Sequence, residues 1–126
     1  MRASRSEPGR GVPTTIYKIC DRARWRAAEE AGTFHGADID ERDGYIHLSA
    51  AAQVEETAAR HFQGADDLVL VAVEADRLGP ALRWEPARGG AMFPHLYGEL
   101  PIESVRWVKP LPRGADGRHI FPELDA

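Results

Sequence analysis

Cysteine occurs once in this chain, at Cys20, so no intrachain disulfide can staple the fold and a reducing cytoplasm is the expected compartment. No apolar run approaches the ~20 residues that a membrane-spanning helix needs. Positive charge is not in excess, because 16 Lys and Arg face 20 Asp and Glu for a net charge of −4. Nucleic-acid binding is carried by clustered cations, so RNA is not an expected partner. The G-x-S-x-G elbow, the phosphate loop and the dinucleotide glycine fingerprint are all missing. His35, His47, His95 and Asp38 match no zinc or iron ligand spacing, so no metal is expected. Residues 1–14, "MRASRSEPGRGVPT", hold arginine and serine without a hydrophobic centre, which predicts a flexible leader rather than a secretory signal.

What remains is an ordinary globular composition, 43 % apolar and 29 % charged over 126 residues, enough for one core. A single domain is expected over residues 15–112, followed by a turn-rich tail over residues 113–126 that Ile120 and Phe121 would anchor. The β-branched and aromatic "TIYKI" predicts a first strand. Asp21 is a good N-cap for a helix from Arg22 to about Ala31, with Trp25 and Ala28 inward and Gly32 as its stop. "HGADIDERDG" reads as a polar loop with nothing to build a core. Residues 45–49 alternate as a strand, and Ser49 is placed to cap a second helix carrying the stripe Val54, Ala58, His61 and Phe62. Leu68 to Val73 is a continuous apolar run, the mark of a strand buried on both faces. Shorter strands follow around Leu82 and Trp84, over residues 92–97 and over residues 105–109. The order predicts an α+β fold with two α-helices on a mostly antiparallel sheet.

The polar residues suggest a site. Tyr45, His47 and Ser49 share one face of their strand, at a strand end that feeds a helix N-terminus, where anions and ribose hydroxyls are favoured. The adjacent glycines of "ARGGAMF" let backbone approach a ligand, and Arg88 beside Gly89 can grip a carboxylate or phosphate with two parallel bonds. His95, Tyr97 and Glu99 alternate and would share a face if the strand is regular. Glu99 is a candidate catalytic carboxylate. Cys20 reads as a buried, inert thiol.

The stretches "IYKI", "DGYIHLSAAAQV", "LVLVAVEADRLG", "LRWEPARGG" and "FPHLYGELPIESV" resemble the bacterial family called domain of unknown function 952, from Ile16 to about Val108. More distantly, the succession is similar to the catalytic lobe of the RNA 2′-phosphotransferases, within the ADP-ribosyltransferase-like fold. Lys18 then stands at the histidine of that lobe's first motif, and His47 and Ser49 at the histidine and serine of its second. Asp43 and Tyr45 differ from the residues found there, and the RNA-binding companion lobe has no counterpart. The resemblance implies a split antiparallel sheet and NAD as a substrate rather than a resident cofactor. Tyr17 and Lys18 would flank the nicotinamide end, with His47 and Ser49 on ribose or phosphate oxygens. Arg88 and Gly89 would hold the pyrophosphate, with His95 nearby and Tyr97 stacking on a ring. His47 and Glu99 would be catalytic, in a transferase or hydrolase that acts as a monomer or weak dimer. The alternative is a non-catalytic module that senses a small anion or docks a protein.

Overall fold

A computed structural model describes residues 14–125. The expected leader therefore lies outside the described residues except for Thr14, whose carbonyl accepts from the Ala75 amide at 3.0 Å. The elements run β1 (Thr15–Asp21), α1 (Arg22–Ala31), β2 (Thr33–Phe34), α2 (Asp38–Asp43), β3 (Ile46–His47) and β4 (Ser49–Ala50). They continue with α3 (Val54–His61), β5 (Leu68–Glu74), β6 (Leu82–Pro86), β7 (Met92–Leu96), β8 (Leu100–Pro101) and β9 (Val105–Leu111). Among the described residues all pairings are antiparallel, in a four-stranded sheet β9-β5-β1-β4, a three-stranded sheet β3-β7-β6 and the small pair β2-β8. The fold is α+β, as its sequence pattern predicts.

β5 is buried on both faces, and that makes it the spine. Val69, Val71 and Val73 enter one core with Ile16, Trp25, Phe34 and Leu96. Leu68, Leu70 and Ala72 enter the other with Tyr17, Val54, Ala58 and Leu111. A strand with a core packed on each of its faces needs no polar face, so its sequence is apolar throughout. α1 is terminated at both ends by local chemistry. The Asp21 side chain accepts from the Arg24 amide at 2.9 Å, a cap whose loss typically costs ~1 kcal/mol. At the other end Gly32 sits at φ +88° and donates to the Ala28 carbonyl at 2.9 Å.

The sequence expectation of two helices is corrected to three among the described residues. The third, α2, lies inside the presumed polar loop and buries no apolar stripe. Its inward residue is Asp40, only 1 % exposed, and it is satisfied by partners from other elements. Gly36 makes this possible: at φ +113° it rejects L side chains, and a Cβ there would meet Asp40 Cβ at 2.7 Å.

A second correction concerns residues 45–49. They are not one strand, because the chain changes sheets at Leu48: β3 pairs with β7, and β4 pairs with β1. Ser49 consequently does not cap α3. Gln53 Oε1 accepts from the Ala50 amide at 2.9 Å, the helix begins at Val54, and Ser49 Oγ lies 3.0 Å from Thr57 Oγ1. In the expected stripe Val54 and Ala58 are buried, whereas His61 is exposed.

The tail docks on the second core through Phe121 and Leu124, while Ile120 points outward at 57 % exposure. Its last anchor is Asp125. The Tyr17 hydroxyl donates to the Asp125 carbonyl at 2.8 Å, and the Trp107 indole donates to its carboxylate at 3.1 Å.

Candidate functional site

Where the chain changes sheets, β1, β3, α3 and β7 leave a cavity of about 510 Å³ between them. That volume suits a drug-sized or nucleotide-sized ligand. Tyr17, Lys18, His47, Ser49, Arg88 and His95, each singled out from the sequence, all line it. His47 and the Arg88 turn, separated by the whole of α3 and β5 in sequence, therefore meet at one hollow.

One end is built around the buried carboxylate. Asp40 Oδ1 lies 2.6 Å from His47 Nδ1 and accepts from the His47 amide at 2.9 Å. Asp40 Oδ2 pairs with Lys18 Nζ at 2.8 Å and accepts from the Ala37 amide at 2.7 Å. Lys18 Nζ also donates to the His47 carbonyl at 3.0 Å, closing the triangle. Burial alone would raise the Asp40 carboxyl, but the His47 hydrogen bond and the Lys18 charge outweigh it and hold the group well below the usual carboxylate range. A carboxylate only accepts, so His47 Nδ1 carries its proton. The other ring nitrogen, Nε2, faces Asp43 Oδ2 at 3.1 Å.

A second histidine has a carboxylate of its own. His95 stands opposite His47 in the β3-β7 register and directs Nδ1 at Glu85 Oε1, 2.7 Å away. Tyr97 donates to the same oxygen at 2.8 Å; these two bonds lower the Glu85 carboxyl, and the second raises the Tyr97 hydroxyl. The Tyr45 ring gathers this region, 4.2 Å from the His95 ring, 4.6 Å from His47 and 5.1 Å from Tyr97. Burial raises the Tyr45 hydroxyl.

The opposite end is cationic. Arg88 lies over the Phe93 ring at 4.9 Å and reaches toward Thr57 Oγ1 and His61 Nε2, both at 3.4 Å. Its nearest carboxylate, Glu56, is 3.9 Å away, a loose partner that leaves the fork available to an anion. Although His61 is largely exposed, partial desolvation where it borders the cavity, then the Arg88 charge, lowers its titration. Thr57 and the 4 % exposed Ser49 extend the hydroxyl surface between the two ends.

Three residues expected at the site do not line the cavity. Gly89 sits on the exposed outer side of the Arg88–Gly90 turn. Tyr97 is 40 % exposed and stacks on Tyr45 at the rim. Glu99 is elsewhere: its carboxylate lies 3.6 Å from His35 Nδ1 and 3.4 Å from Thr33 Oγ1, at the β2-β8 edge. β7 ends at Leu96, so the alternation that would align His95 with Glu99 is broken at Gly98. Conversely, the sequence reading missed Asp40, Asp43, Glu85 and Thr57. For Asp40 a partial signal exists, an acid three residues after the residue that precedes a helix, reaching back to that residue's amide. Cys20 takes no part. Burial, the main cause, pushes its thiol up to about 12, the inert state expected of it.

Among the described residues no helix is long and apolar enough to cross a membrane, and no group of three or more His, Cys, Asp or Glu is arranged to hold a metal ion. The sequence profile of the family described as "Protein of unknown function (DUF952)" matches residues 19–108. The chain is also similar to the crystal structure of protein CC0527 from Caulobacter crescentus, at 51 % identity over 85 % of this chain and 94 % of that one, with a TM-score of 0.82. A double mutant of CC0527 gives 50 % identity with the same coverage and TM-score. The solution NMR structure of CC0527 gives 52 % identity over 82 % of this chain and 90 % of that one, with a TM-score of 0.75. None of the curated proteins matches.

Proposed function

The chain belongs to the DUF952 family of proteins of unknown function, and for it we propose a pocket that binds an anionic small molecule of the nucleotide class, of the kind of NAD or ADP-ribose. The observation that carries this reading is the joining of two unlike ends in one cavity, Arg88 at one and the Lys18–Asp40–His47 triangle at the other. A loosely paired guanidinium suits phosphate oxygens. The Ser49 and Thr57 hydroxyls and His47 suit ribose oxygens, and the aromatic walls, Tyr17, Tyr45 and Phe93, suit a planar base.

Glu99 lies at the β2-β8 edge, away from the cavity lining, so a glycosidic transfer that uses it as the charge-stabilising carboxylate loses support. That position favours a second reading, in which the ligand is bound without nicotinamide release. Isothermal titration with NAD and ADP-ribose tests the binding proposal. Saturable heat with either, lost on Arg88→Gln, is the expected result. No heat with any nucleotide at millimolar concentration overturns it. Nicotinamide release in the same samples would exclude the non-catalytic reading.

A further inference from the structure

Two histidines, each held by its own carboxylate, line the same cavity from opposite strands. Asp40 fixes His47, and Glu85 fixes His95. Their ring centroids are 5.7 Å apart at 65°. That spacing lets both rings reach oxygens of one phosphoryl group. Their surroundings differ in a way that assigns roles. His47 lies between two carboxylates, Asp40 at Nδ1 and Asp43 at Nε2, and both accept from it only when both ring nitrogens carry protons. His95 donates Nδ1–H to Glu85, which leaves Nε2 as the acceptor. Among the described residues that nitrogen makes no hydrogen bond, although His95 is 5 % exposed and borders the cavity.

We infer that this cavity hydrolyses a phosphodiester the size of a mononucleotide, with His95 as general base and His47 as general acid. The inference rests on the nucleotide-pocket reading above and adds a reaction to it. His95 Nε2 takes a proton from water as the water oxygen bonds to phosphorus. The phosphorus–oxygen bond to the leaving hydroxyl breaks, and that oxygen takes the proton of His47 Nε2, displacing Asp43 from it. A phosphodiester and water become a phosphomonoester and an alcohol. Afterwards His95 holds one proton more and His47 one fewer, and exchange with solvent restores both. Asp40 keeps the His47 ring aligned as a positioning residue.

The experiment uses the full chain with two probes, adenosine 2′,3′-cyclic monophosphate and bis(p-nitrophenyl) phosphate, beside titration with adenosine 3′-monophosphate for binding alone. The wild type is expected to open the cyclic phosphate to a single monophosphate isomer. His95→Asn should lose both reactions. His47→Asn should lose cyclic-nucleotide hydrolysis by about 10²–10⁴-fold but keep far more of the p-nitrophenyl reaction, because p-nitrophenolate leaves without a proton. If the substitutions unfold the chain, a wild-type series of aryl leaving groups decides. A shallow dependence of rate on leaving-group acidity supports the acid role, and a steep one overturns it. Binding of the monophosphate without turnover of either probe overturns the inference while leaving the pocket reading intact. Neither binding nor turnover removes both.

Discussion

Asp40 Oδ1 and His47 Nδ1 are 2.6 Å apart, and the same carboxylate grips Lys18 through its other oxygen at 2.8 Å. The carboxylate is 1 % exposed and the ammonium side chain 6 %, so water compensates neither charge. Breaking such a pair from one side leaves an uncompensated buried charge. Replacing both partners by apolar groups often costs little. Lys18→Met or Asp40→Leu alone should therefore destabilise the fold by about 3–5 kcal/mol, and the double replacement by much less than the sum. Urea unfolding of the four proteins closes the cycle; additive losses would mean the pair is not coupled.

Acid should act on this carboxylate with a definite sign. Its folded state binds a proton less readily than the unfolded chain, so the stabilisation is complete above the ordinary carboxylate range and fades as pH falls into and below it. Wild type and Asp40→Asn should differ most in urea midpoint near neutrality and draw steadily closer as pH falls below about 4. A constant difference across that range would contradict the assignment.

Gly36→Ala should disturb the site from outside it. The position combines φ +113° with a 2.7 Å approach to Asp40 Cβ, so the new methyl must push α2 away. A cost of about 1–3 kcal/mol is expected from the backbone strain alone. Thermal melting reads the loss of stability, and the histidine NMR signals read displacement of Asp40 from His47. An unchanged melting temperature would show that the turn relaxes freely.

Arg88→Gln keeps length and polarity while removing the charge and one arm of the fork. Affinity for ADP-ribose should fall about 10- to 100-fold, the value of a charge-assisted hydrogen bond, with the melting temperature little changed. A melting temperature that collapses would mean the guanidinium serves packing on Phe93 instead.

His61 offers a spectroscopic check on the same end. Partial desolvation at the cavity wall and the neighbouring Arg88 charge hold its titration below the ordinary histidine range. An anion settling on Arg88 cancels part of that repulsion, so the titration should move upward on saturation with a phosphate-bearing ligand. NMR of the ring protons follows it. No movement would separate His61 from the anion.

Local chemistry was readable from the sequence, and cross-chain compensation was not. β5 announced itself because every residue from Leu68 to Val73 is apolar, and α1 because Asp21 and Gly32 mark its ends. His47 and Arg88 stood out as polar groups in unusual settings, and Lys18 entered only through the family resemblance. α2 was invisible, since "DIDERD" has no apolar periodicity and its buried carboxylate is satisfied by residues from β1 and β3. Nothing local to Asp40 reveals a lysine that lies far back in the chain. The sheet change at Leu48 was hidden for the same reason, because β3 and β4 read as one alternating run until their different partners separate them. Glu99 was drawn toward the site by a regular alternation that Gly98 interrupts.

Tyr17 borders the cavity while its hydroxyl holds the backbone of Asp125, and Trp107 is fastened to the same aspartate. An attachment made just beyond Asp125 would pull on that clasp, so a long spacer is the safer cloning choice. The same connection makes Trp107 an intrinsic reporter. Its emission should sense strain in the clasp, including strain transmitted through Tyr17 when a molecule fills the hollow.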